Sequence, residues 1–257
     1  MKHSGDPERL AREIKFHEGI ASQAEDVWNW SGPAGRRRAE RRSDLLLQAT
    51  GLGPDKLALE LGCGTGIFLE RAAATGARLV AIDLSQPLLQ QAHERMATSP
   101  RVRLVCGNAE AMPYADGTFD AVYGSSVLHH LDLDRALREA FRVLRPGGWA
   151  AFAEPNLLNP HVAFMFNCKP AKPWFGVSPD EMAFTRFRAK RALRQAGYVE
   201  SSVRLFDFLH PSTPAALVSG VSRAGRFLER LPLVREIAGS FLLAGRKPSD
   251  RSAGAAT

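Results

Sequence analysis

Apolar positions change their spacing repeatedly along the chain, and each change marks an element. Leu57–Leu61 is a short apolar run closed by glycines, which predicts a buried strand. A helix is expected over 67–74, a second strand over 78–82, and another helix where Leu88, Leu89, Ala92 and Met96 recur at helical spacing. Val102–Cys106 and residues 119–123 read as the third and fourth strands. Leu133, Ala136, Leu137, Ala140, Phe141 and Leu144 then share one helical face, with Asp132 as N-cap and Pro146-Gly147-Gly148 as the stop. Residues 149–154 form the fifth strand. The rhythm breaks over 155–179, where prolines alternate with Val162, Phe164, Met165, Phe166, Trp174 and Phe175, a run too rich in proline for regular structure. It resumes with a helix over 188–196, a strand over 199–208, a helical stretch over 215–229 and a last strand over 240–245. Ahead of the first strand, a polar and broken stretch carrying Phe16, Trp28 and Trp30 gives way to the basic run 36–42, which continues into Leu45, Leu46 and Leu47 as a helix stopped at Gly51.

Strands separated by helices predict an α/β fold with a doubly wound, mostly parallel seven-stranded sheet, whose ligands bind beyond the carboxyl ends of the strands. The expected organisation is an N-terminal helical cap over 1–50 and a main domain over 51–247. That domain carries a Pro/aromatic-rich insert after strand five at about 155–187 and a second at about 211–236, and 248–257 is read as a disordered tail. At 257 residues with 45% hydrophobic and 24% charged positions, the chain can bury a large core and is not a disordered, collagenous or coiled-coil protein. No apolar run is long enough for a membrane span and the start is too charged for an export signal, so the expected location is cytoplasmic. Three scattered cysteines provide neither a disulfide framework nor a zinc motif. The net charge of +7 is compatible with nucleic acid, an anionic lipid surface or an acidic small substrate.

The first candidate chemistry follows strand one. Gly62, Gly64 and Gly66 let the backbone turn sharply and let a ligand lie against main chain. A dinucleotide fingerprint would need glycine where Ile67 stands, so this turn, with Glu60 before it, points to a cofactor without a pyrophosphate. Strand two ends at Asp83, where a carboxylate can accept both hydroxyls of a ribose. Strand three ends in Gly107-Asn108-Ala109-Glu110.

These motifs, read in order as LELGCGTG, VAIDLS, GNAEAMPY, FDAVYGSSVLHHL and RVLRPGG, resemble those of the class I S-adenosylmethionine-dependent methyltransferases, in particular the small-molecule branch. The resemblance is close over 45–155 and implies a Rossmann-like methyltransferase fold with S-adenosylmethionine as methyl donor and no metal. It places Gly62, Cys63, Gly64 and Gly66 under the methionine part of the cofactor and Glu60 near its ammonium group. Asp83 would hold the ribose, Leu84 pack on the adenine, Asn108 and Ala109 meet the adenine edge, and Ser125 line the cofactor. Asn108 stands where the family usually has aspartate, but its side-chain oxygen can still accept from an amino group. Each also has a purely structural reading: tight turns for the glycines, a helix N-cap for Asp83, a turn for Asn108.

For the acceptor, His129 and Glu154 are the candidate catalytic residues, with His130 and Asn156 beside them and His161 and His210 as weaker candidates. Gly124-Ser125-Ser126-Val127 replaces the Pro-Pro-aromatic turn of amine-methylating DNA enzymes, which argues against nucleic acid as acceptor. The expected reaction is methylation of a small-molecule or lipid-like acceptor, with O-methylation slightly favoured. The arginines of 36–42 are either a solvated helix face or a receptor for an anionic group of that acceptor. The competing readings are a non-catalytic cofactor-binding partner protein and a methyltransferase acting on RNA.

Overall fold

The computed structural model describes residues 7–249. Three helices come first: α1 (Pro7–Ile20), the single turn α2 (Ala24–Val27) and α3 (Pro33–Thr50). Gly51 ends α3 in the left-handed conformation, its N–H donating to the Leu47 carbonyl at 2.9 Å. The alternating part runs β1 (Leu57–Leu61), α4 (Leu69–Ala73), β2 (Arg78–Asp83), α5 (Gln86–Arg95), β3 (Val102–Cys106), β4 (Phe119–Ser125), α6 (Leu133–Val143) and β5 (Leu144–Pro155). It continues with α7 (Pro160–Asn167), α8 (Arg186–Gln195), β6 (Val199–Phe206), α9 (Val218–Leu228) and β7 (Ser240–Arg246).

Among the described residues the strands form one seven-stranded sheet in the order β3-β2-β1-β4-β5-β7-β6, with only β7 antiparallel to its neighbours. Strand order reverses between β1 and β4, which opens a crevice beyond their carboxyl ends. The strand alternation divides the core in two. Leu59, Leu61, Val122, Phe152 and Leu243 pack under α6 and α8, while Ala58, Ala81, Tyr123 and Ala151 pack under Leu45 and Leu46 of α3. Asp132 caps α6 by accepting from the Arg135 amide at 3.0 Å.

Several boundaries differ from the expected ones. The segment 155–179 is not irregular: it holds α7 and a 3-10 turn over Lys169–Phe175. Pro160 occupies the first turn of α7, where a missing N–H costs nothing, and Asn159 caps it by accepting from the His161 and Val162 amides at 3.0 and 3.1 Å. Pro146-Gly147-Gly148 does not stop the chain but lies inside β5, at a register shift against β4. β6 ends at Phe206, short of the expected 208, because Asp207 takes a left-handed φ of 80°. The expected disordered tail falls mainly on 250–257, outside the described residues, whereas the Lys247 amide and the Pro248 carbonyl bond to Gly148 and Gly147.

Candidate active site

The crevice floor is backbone. At the β1–α4 turn Gly62 and Gly64 have φ of 62° and 51°, which favours glycine, and a Cβ on Gly62 would overlap the Val127 side chain. Asp83 stands beside this turn. Its Oδ2 accepts from the Gly64 amide at 2.8 Å and its Oδ1 from the Ser85 amide at 2.9 Å, leaving further lone pairs for a ligand. Glu60 lies below the floor with both carboxyl oxygens buried beside the Tyr123 hydroxyl, and burial pushes its pKa up to about 8, against the Tyr123 contact and assisted by the Asp83 charge. A buried carboxyl that a neighbouring cation would draw into its charged form, under a glycine cradle, fits the ammonium end of S-adenosylmethionine, and the remaining lone pairs of Asp83 fit its ribose. Cys63 is buried and burial pushes its thiol pKa up, so it is no nucleophile.

The floor belongs to a cavity of about 880 Å³, enough for a cofactor and an acceptor side by side. Gly62, Cys63, Gly64, Asp83, Leu84, Ala109, Ser125 and His129 all contribute to its wall. Glu60, Gly66, Asn108 and Glu154 do not. Asn108 turns its side-chain oxygen to the Glu110 amide at 2.8 Å, the geometry of a turn residue. His161 and His210 meet on the wall with ring centroids 5.0 Å apart, next to Phe175. Asn156 is buried outside it, its amide donating to the Glu236 and Ala238 carbonyls.

Glu154 is fully buried and occupied. Its Oε1 accepts from the Val127 and Leu128 amides at 3.0 and 2.9 Å, and its Oε2 takes the His129 Nδ1 at 2.8 Å. It therefore reaches the cavity only through His129, whose Nε2 lies 3.6 Å from Glu181. Ser126, just before this loop, holds a φ of 56°, a conformation costly for serine at the end of β4.

The roof over the floor comes from α1–α3 and the segment after β5, and here lie the residues that sequence reasoning missed. Glu13 on α1 accepts from the Ser178 hydroxyl at 2.6 Å and lies 3.2 Å from His130 Nδ1, while Glu181 lies 3.5 Å from the same nitrogen. Burial pushes the Glu13 pKa up, but the His130 hydrogen bond and charge outweigh it and hold it at about 2. Burial likewise pushes His130 down, and the Glu181 charge with the Glu13 hydrogen bond raises it to about 9. Ligand atoms of His129, His130 and Glu181, and of Glu13, His17 and His130, lie within 4.8 Å of one another, so either group could hold a metal ion. A proton on His130 provides positive charge at the point the two groups share. Arg9 pairs with Glu110 and donates to the His130 carbonyl at 2.7 Å, and Glu25 receives the Thr65 hydroxyl at 2.8 Å and Arg95 at 2.5 Å. Of the basic run, Arg37 pairs with Glu40 and Arg41 with Glu229 away from the cavity, while Arg38 and Arg42 line it and lie over the Trp30 ring.

Comparison with known proteins decides the family. Residues 59–152 match the family model described as a methyltransferase domain. The chain is 32% identical to the malonyl-[acyl-carrier protein] O-methyltransferase of Geobacter sulfurreducens, over 82% of this chain and 78% of that protein. It belongs to the class I S-adenosylmethionine-dependent methyltransferases. A demethylmenaquinone methyltransferase of Corynebacterium urealyticum is 39% identical to this methyltransferase over 46% of this chain and 47% of that one. The chain spans about half the length of most other curated relatives it matches. Among solved structures, the geranyl diphosphate C-methyltransferase from Streptomyces coelicolor, crystallised with Mg²⁺, geranyl diphosphate and S-adenosylhomocysteine, shares the fold at a TM-score of 0.62 and 21% identity, covering 82% of this chain and 80% of that one.

Proposed function

We propose that this methyltransferase methylates a small-molecule or lipid-like acceptor, with a hydroxyl or carboxyl oxygen the favoured atom. The observation that carries this reading is His129, oriented by a buried carboxylate and facing a cavity large enough for two ligands. When bound, S-adenosylmethionine supplies an electrophilic methyl on a sulfonium. Gly62, Cys63, Gly64, Asp83, Leu84, Ala109 and Ser125 on the wall would hold it, with Glu60 acting from beneath the floor and Gly66 and Asn108 shaping the turns that carry these residues. Residues 7–50 would act as a cap over it, the first six positions of the expected 1–50 cap lying outside the described residues, with 155–187 and 211–236 as additions to the core.

The rest is work for the chain's own groups. Glu154 fixes the His129 tautomer by taking the Nδ1–H, which leaves the Nε2 lone pair to accept a proton from an acceptor hydroxyl. Glu181, across from Nε2, pairs with the imidazolium so formed. The aromatic roof excludes water and aligns the acceptor, and alignment supplies much of the acceleration of an in-line displacement. Arg38, paired with Asp207 at 2.9 Å, and Arg42 stand together on the wall, two guanidiniums to that one carboxylate, which would favour an acceptor with an anionic group.

The test is mass spectrometric detection of S-adenosylhomocysteine with a panel of hydroxy, carboxy and amine acceptors, repeated with His129→Ala. The expected result is a kcat lowered by about 10²–10⁴ with unchanged cofactor affinity. Wild-type turnover in the variant would leave alignment as the whole mechanism, and no product with any acceptor would favour a cofactor-binding partner protein.

A further inference from the structure

One face of the molecule is both apolar and basic and takes no part in the cavity chemistry. In α9 and the residues around it, Leu217, Phe227, Leu233 and Ile237 are 56%, 60%, 88% and 46% exposed. The inner side of this helix is already used: Val218 packs with Leu209 and Ala34, and Gly225 sits against Phe208. Helical spacing puts Ala224 and Phe227 on the outer side, and Leu217 stands exposed in the turn that leads into the helix. Arg223, Arg226 and Arg230 flank them, are exposed, and have no ion pair among the described residues. Arg226 and Arg230 also line a groove of about 400 Å³ with Arg41, Arg186, Arg204 and Arg235. The two acids of that groove are already engaged, Glu229 by Arg41 at 2.5 Å and Glu236 by Arg186 at 2.8 Å.

We propose that residues 217–237 dock the protein on an anionic phospholipid surface, with the apolar side chains entering the headgroup layer and the arginines of the groove meeting lipid phosphates. An interfacial helix has this composition: a protruding apolar stripe, a basic flank and a polar remainder. The apolar side chains stand out from the surface while the arginines line the recess beside them, an arrangement suited to insertion between headgroups. Aliphatic tips such as Leu217 and Leu233 give nothing to a nucleic acid, whose phosphates and bases call for charge and stacking. No helix of the described residues is long and apolar enough to cross a membrane, so the contact is with its surface. The proposal does not depend on which acceptor is methylated, and its test reads binding alone.

The experiment is co-sedimentation of the full chain with phosphatidylcholine vesicles, with and without a third of phosphatidylglycerol. Binding is expected only to the anionic vesicles, weakening as salt rises. Arg226→Glu with Arg230→Glu should weaken it by at least about fivefold per arginine. Phe227→Ser and Leu233→Ser, singly and together, should weaken it by about tenfold or more while thermal melting and S-adenosylmethionine affinity stay at wild-type values. Absence of wild-type binding to anionic vesicles would overturn the proposal. So would binding that ignores both serine changes and is matched by a soluble polyanion such as tRNA or an acidic protein, which would make this a macromolecular docking face of another kind.

Discussion

The floor and the roof of the cavity are held by different balances of force. The floor rests on strands whose side chains are apolar on both faces, and its turn is shaped by glycine backbone. The roof has only small apolar clusters of its own, around Val162 and Phe166, Ala21 and Ala24, and Trp30, and is fastened besides by charged and polar groups: Glu13 to Ser178 and His130, Arg9 to Glu110, Lys172 to the Ser178, Pro179 and Glu181 carbonyls. Apolar burial does not titrate, whereas a network of imidazole and carboxylates does. A cofactor bed held by apolar packing under a cover held in part by titratable groups lets the cover loosen with pH while the bed stays formed.

The contrast breaks most severely at Glu154, which grows out of β5 and positions the first residues of the roof contact. Glu154→Ala leaves two buried amides and the His129 ring without an acceptor and should destabilise the fold by about 3–5 kcal/mol, read by chemical denaturation. A loss under 1 kcal/mol would mean that this loop is set by its apolar neighbours alone. Asp83 tests the floor by itself. Asp83→Ala removes the acceptor of the Gly64 amide and the candidate ribose partner, and should weaken S-adenosylmethionine binding by about 1.5–3 kcal/mol in calorimetric titration.

The roof contact is sharpened by pH. The His130 pKa is raised from 6.5 to about 9, so its contribution is complete below 6.5 and disappears as pH rises through 9. The Glu13 pKa is lowered from 4.5 to about 2, so its contribution is complete above 4.5 and disappears as pH falls through 2. Burial lowers the His17 pKa, aided by the His130 charge, so protonating His17 at acid pH opposes the closed roof. The stability gap between wild type and His130→Asn should therefore be on the order of 2 kcal/mol at pH 6.5 and close above pH 9, with Glu13 and His130 acting as one coupled pair. A gap that widens with rising pH would reverse the assignment of charge.

The same contrast explains what the sequence discloses. Gly62, Gly64, Asp83 and the strands announce themselves because backbone turns need glycine and buried strands need period-two apolar runs. Glu13 and Arg9 are the buried face of α1, so a search for apolar periodicity passes over the side of the helix that matters. Glu181 and Ser178 lie in a proline-rich stretch with no period at all, and their link to Glu13, distant in sequence, is visible only in three dimensions. α7 was hidden by Pro160, which reads as a breaker unless the Asn159 cap before it is weighed. Asn108 shows the converse, a motif position whose side chain is spent on its own turn.

The smallest expected effect separates the two faces of α3. Arg42 is buried, donating to the Ser126 hydroxyl and the Ala153 carbonyl at 3.2 Å and to Ser240, and burial, with Arg38 nearby, lowers its pKa to about 10. Arg37, on the same helix, is about half exposed and meets only Glu40 at 3.0 Å, a surface pair whose attraction is screened by solvent and offset by the entropy of two long side chains. Arg37→Ala should change stability by about 0.5 kcal/mol or less and leave KM for the acceptor unchanged at low and physiological salt. Arg38→Ala removes a guanidinium that lies on the cavity wall over Trp30 and leaves its partner Asp207 as an unpaired negative charge there, so it should raise that KM for an anionic acceptor and lower stability as well. Steady-state kinetics on the two variants at two ionic strengths makes the comparison. A salt-dependent KM change in Arg37→Ala matching that of Arg38→Ala would place the outer face of α3 in the acceptor's path, and the boundary between cavity wall and solvated surface drawn through this helix would have to move outward.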